Sequence, residues 1–112
     1  MFTLFFVASL NVDFALAGKT SAGLILCEQI NNQVSGSKLN EYNRLDSELN
    51  SYLNLELEAS SDLSYSFFSA QVDYINSFEY ADKNKPLDDN LLSKQKCQDH
   101  IDNANMLIRK FQ

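Results

Sequence analysis

The run Lys38–Tyr80, KLNEYNRLDSELNSYLNLELEASSDLSYSFFSAQVDYINSFEY, contains neither Gly nor Pro. Within it Leu49, Tyr52, Glu56, Ala59, Leu63, Phe67, Ala70 and Tyr74 recur every three or four residues. That is the spacing of one helical face, and strict alternation, the mark of a half-buried strand, is missing. Leu53 and Leu57 widen the stripe, and Leu39, Tyr42 and Leu45 extend it upstream, while Asn, Ser, Asp and Glu fill the far side. The pattern predicts one long amphipathic helix with a candidate break at Ser60-Ser61-Asp62. Glu56 is the anomaly, because it falls in line with the leucines. An ionised carboxylate on an apolar stripe requires a partner, a metal or a place at the rim.

Upstream, Ser35-Gly36-Ser37 is the strongest break, and Ser37 suits a helix N-cap. The preceding GKTSAGLILCEQINNQVSGS shows little period and holds all three glycines. It reads as an extended arm over residues 18–37, with a short helix around Leu24–Asn31. Downstream, ADKNKPLDD (Ala81–Asp89) is a second break, and Pro86 suits the first turn of another helix. Leu91, Leu92, Cys97, Ile101, Ala104, Leu107, Ile108 and Phe111 then recur at helical spacing, with Arg109 and Lys110 near the end, where a helix dipole favours cations. The expected fold is all-α, a long helical hairpin over residues 38–112. Two helices alone leave apolar faces uncovered, so further helices from another copy or another chain are expected.

The N-terminus, MFTLFFVASLNVDFALAG, has the form of a secretory signal over residues 1–17. Phe2–Leu10 is the apolar run, and Ala15-Leu16-Ala17 before Gly18 fits a cleavage site. The run is shorter than the roughly 20 apolar residues that span a bilayer. The chain is therefore expected in the secretory lumen or outside the cell, with no membrane attachment after cleavage. Cys27 and Cys97 are the only two cysteines, free there to pair with each other or with a second chain. A net charge of −6 with nine scattered Lys and Arg argues against nucleic acid. There is one histidine, His100, and no nucleophile elbow, phosphate-binding loop or dinucleotide fingerprint, so no enzyme is expected.

LNLELEAS (Leu53–Ser60) resembles the first-helix signature of ferritin subunits, and Leu63–Phe68 resembles the block that follows it. Asp99–Ile108 is similar to the ferritin second-helix run, and Asn84-Lys85-Pro86 to the turn before it in insect secreted ferritins. The resemblance implies half of a ferritin-like four-helix bundle, cut off after the second helix. It implies Glu56 and His100 as iron ligands, iron as the cofactor, and other ferritin-type subunits or self-association as the assembly. Two departures bear on activity. Cys97 stands where the second-helix glutamate belongs, and Leu63 where the first helix carries a tyrosine. Hard ferric iron prefers carboxylate to thiol. The implied role is thus a structural, light-chain-like iron-storage subunit without ferroxidase activity. The competing expectation is a small secreted helical interaction or ligand-binding protein with no metal, its aromatic residues from Tyr65 to Tyr80 forming an adhesive stripe.

Overall fold

The computed structural model describes residues 12–30, 36–79 and 94–112. The regular structure among them is all helical: α1 (Phe14–Ile30), α2 (Gly36–Ala59), α3 (Ser61–Glu79) and α4 (Lys94–Arg109). The all-α expectation holds, but four helices share one core where a two-helix hairpin was expected. The apolar run Phe2–Leu10, Ser35 and the Ala81–Asp89 break with Pro86 lie outside the described residues.

The added element is α1. Residues 18–30, read as an extended arm with a short helix beginning near Leu24, belong instead to one helix that starts at Phe14. Its first turn is capped by Asp13, whose carboxylate accepts the Leu16 N–H at 3.0 Å. Ala15-Leu16-Ala17, the expected cleavage motif, is therefore helical, and Phe14 and Ala17 are core residues. No amphipathic stripe marks this helix because it is buried on almost every side: Ala17, Thr20, Ser21, Ala22, Leu24, Leu26 and Cys27 are all shielded from water. Two glycines allow that burial. A Cβ on Gly18 would run into the backbone carbonyl of Phe67 on α3, and one on Gly23 would run into the ring of His100 on α4. Small residues thus bring the neighbouring helices close to the α1 axis.

The long helix read from Lys38 to Tyr80 is α2 and α3, interrupted at Ser60. Ser60 closes one hydrogen-bond ladder and opens the next: its N–H bonds to Glu56 O and its carbonyl accepts the Ser64 N–H, both at 3.1 Å. The Ser60 hydroxyl caps α3 by accepting the Leu63 N–H at 3.3 Å. The Ser64 hydroxyl donates back across the junction to Leu57 O at 2.5 Å. A straight helix of this length would measure about 65 Å at 1.5 Å per residue, more than the longest molecular axis of 54 Å. The rod therefore bends at Ser60.

Pairings fix the directions. Cys27 meets Cys97 and Gly23 meets His100, so α1 and α4 are antiparallel. Gly18 meets Phe67 and Ser21 meets Gln71, so α1 and α3 run the same way. Ser21 also reaches Asp46 on α2, and further along Tyr52 stacks on Phe111. Helix α1 packs on all three of the others. Leu24, Leu45, Leu49, Leu53, Phe67 and Leu107 form the sealed centre. The cysteines pair within the chain, which ties α1 to the start of α4 across 70 positions of sequence.

Candidate functional site

His100 enters the core from α4, one turn after Cys97, and only 4% of it is exposed. Its Nε2 lies 2.9 Å from the Tyr74 hydroxyl, and the two rings meet edge to face with centroids 5.3 Å apart. The same Nε2 end of the imidazole fills the space that Gly23 leaves open. Burial pushes the imidazole pKa down to about 4; Lys19 and Lys96 add to the fall and Asp99 opposes it. The ring is therefore neutral at physiological pH. Burial also raises the Tyr74 phenol, which stays protonated. Nδ1 is buried without a hydrogen-bond partner. Lys19 closes this corner, its ammonium 5.6 Å from the centre of the Tyr74 ring.

Glu56 occupies a different level. It is half-buried near the end of α2, with Oε1 shielded and unpartnered. One turn earlier Tyr52 stacks on Phe111, centroids 5.5 Å apart. Phe111 lies about 16 Å along the chain from His100 at helical rise, and Glu56 is a further turn beyond Tyr52. The register thus does not bring Glu56 and His100 together. Cys97 is spent in the disulfide. Among the described residues, no group of three His, Cys, Asp or Glu is placed to hold a metal.

A polar cluster with no sequence forecast joins three helices. The Ser21 hydroxyl donates to Asp46 Oδ1 at 2.5 Å and accepts from Gln71 Nε2 at 3.2 Å. Asn50 Nδ2 donates to the same carboxylate oxygen at 2.9 Å and to Asp46 O at 2.8 Å. Burial raises the Asp46 pKa, while the bonds from Ser21 and Asn50 pull it down. This arrangement is internal bracing. Spacing of polar residues gave no signal for it, because Ser21 lies in a stretch with little period.

The surface tells a different story on α3. Phe67 is buried against Gly18, yet Tyr65, Phe68 and Val72 are 75%, 52% and 53% exposed. The last three recur at i, i+3 and i+7, so they form one outward stripe. With Leu57 and Glu58 from the end of α2, and Ser61, Ser64, Ser69 and Asp73 from α3, they line an open groove of about 720 Å³. The aromatic run beginning at Tyr65 therefore divides: Phe67 and Tyr74 turn inward, Tyr65 and Phe68 outward. Among the described residues, no helix is long and apolar enough to cross a membrane.

The chain matches no protein-family model, no curated protein and no solved structure. The resemblance to ferritins gains no support from these comparisons.

Proposed function

We propose that this chain is a disulfide-braced helical binding module of an oxidising compartment, docking a partner on the outer face of α3. The observation that carries it is the exposed stripe Tyr65, Phe68 and Val72 beside a core that closes without it. Scattered exposed apolar residues are ordinary, whereas three on one stripe that line a shared groove are the usual surface of an interaction site. The Cys27–Cys97 bond suits a secreted protein, because small domains with modest cores gain most from such a tie. The test is affinity recovery from the source fluid with the wild-type chain and with Phe68→Ser/Val72→Ser. The reading requires a partner recovered by the wild type and lost by the double variant, with thermal unfolding unchanged. Equal recovery by both would remove α3 from the interface.

A second reading is favoured by one atom. Glu56 Oε1 is shielded and has no hydrogen-bond partner, and a cation would stabilise such an oxygen. That fits the iron-storage role implied by the ferritin resemblance, with Glu56 acting apart from His100. Iron titration by calorimetry of wild type and Glu56→Gln decides it, and indistinguishable isotherms would end this reading.

A further inference from the structure

The geometry points to one class of occupant for the α3 groove: a cationic amphipathic helix of a partner protein. Its apolar stripe would lie along Tyr65, Phe68 and Val72, and its Lys or Arg side chains would reach Glu58 and Asp73. This inference rests on the docking role proposed above and names the chemistry of what docks.

Charge is the first argument. Between Arg44 and Lys83 the chain has no Lys, Arg or His, while eight Asp and Glu fall in that interval. The interval comprises all of α3 and most of α2, so the wall of the groove carries charge of one sign. Among the described residues, Glu58 and Asp73, at its two ends, are the charged residues that line it. Lys96 and Arg109 lie on α4, away from the groove, while Lys19 on α1 shares a separate recess with Asp73 on the other side of α3. An apolar floor between two carboxylates complements a helix with leucine-like anchors and flanking cations.

Shape is the second. Tyr65 and Val72 are two turns apart, about 10 Å along α3, which matches anchors at i and i+7 of an opposing helix. Ser61, Ser64 and Ser69 are small, so they permit a close approach between the larger side chains. Other occupants fit less well. A second copy would set the same carboxylates against each other. An anionic membrane or a nucleic acid would meet a surface of its own sign on a chain of net charge −6.

The test uses the oxidised full chain and three fluorescein-labelled synthetic peptides, read by anisotropy. One has a leucine face flanked by lysines, its twin has glutamates for the lysines, and the third has the first peptide's composition scrambled. The lysine peptide is expected to bind, and added salt to weaken it. Glu58→Gln/Asp73→Asn should cost about fivefold in affinity, in line with two exposed ion pairs, and Phe68→Ser at least about tenfold. Equal binding of the glutamate twin, or an unchanged affinity in the charge variant, would overturn the cationic partner and leave the docking role standing. Binding indifferent to Phe68→Ser, or no preference over the scrambled peptide, would overturn both. Sedimentation of the chain with phosphatidylserine vesicles would also overturn the proposal, in favour of a membrane.

Discussion

Gly23 on α1 and the imidazole of His100 on α4 fill one space between them: a single carbon added to the first would overlap the second. The ring cannot easily withdraw, because Tyr74 holds its Nε2 and the disulfide fixes α4 one turn away. In isolation Gly→Ala within a helix is worth about 1 kcal/mol in favour of alanine. Here overpacking wins, so Gly23→Ala should destabilise the protein by about 1–3 kcal/mol. With His100→Ala already in place the same change should become neutral or stabilising. Urea unfolding of the four proteins forms a double-mutant cycle, and additive effects would mean that the two positions do not touch.

The same ring gives the protein an acid-sensitive element. His100 titrates near 6.5 in the unfolded chain and about 4 in the fold. Between those values the unfolded chain holds a proton that the folded one rejects. The stability owed to the neutral ring is complete above about pH 6.5 and falls as pH drops toward 4. At about 1.4 kcal/mol per pH unit, the loss is on the order of 3 kcal/mol. Lys19, Lys96, Asp99 and Tyr74 face the ring, and carboxylates elsewhere add acid sensitivity of their own. The informative quantity is therefore wild type minus His100→Gln, followed from pH 7.5 to 4. A difference that stays flat across that window would show the imidazole to be solvated.

Reduction should be costly. A bond closing a loop of this length removes about 4 kcal/mol of freedom from the unfolded chain in the chain-entropy account. Cys27→Ser/Cys97→Ser is expected to lower the urea midpoint by a comparable free energy, and dithiothreitol to do the same to the wild type. An unchanged midpoint would mean that α1 stays on α4 through packing alone.

Periodicity exposed some of this structure and hid the rest for identifiable reasons. Tyr42, Leu45, Leu49 and Leu53 were legible because α2 has a wet side for contrast. Cys97, Ile101, Ala104 and Leu107 stood out on α4 for the same reason. Helix α1 has almost no wet side, and its glycines mimic a loop although they serve close packing. That Cys27 and Cys97 pair with each other depends on α1 being a helix, so spacing could not decide it. The Ser60 break was signalled by adjacent serines and an aspartate, which cap better than they continue. Glu56 stood out by its place in the stripe, but a stripe gives no register between helices. The neighbours of His100, Gly23 and Tyr74, follow from that register alone. The outward turn of Phe68 beside an inward Phe67 is equally a matter of which side α1 covers.

The Ser21 cluster offers a last expectation, in which charge and packing oppose each other. Burial makes the Asp46 carboxylate harder to ionise, and the Ser21 hydroxyl and Asn50 amide partly restore it. Ser21→Ala removes one donor from the carboxylate and the acceptor of Gln71. Hydrogen bonds to a charged group contribute about 1.5–3 kcal/mol, so a loss of that order is expected at pH 7. The Asp46 pKa, already above its ordinary value, should rise further in the variant. Protonated Asp46 depends less on the lost donor, so the stability gap between variant and wild type should narrow as pH falls through that raised pKa. Unfolding free energies from pH 7 to 4, with carboxyl titration by NMR, test both halves of this. A gap that stays constant with pH would mean that Ser21 braces the helices by packing and has no hold on the charge of Asp46.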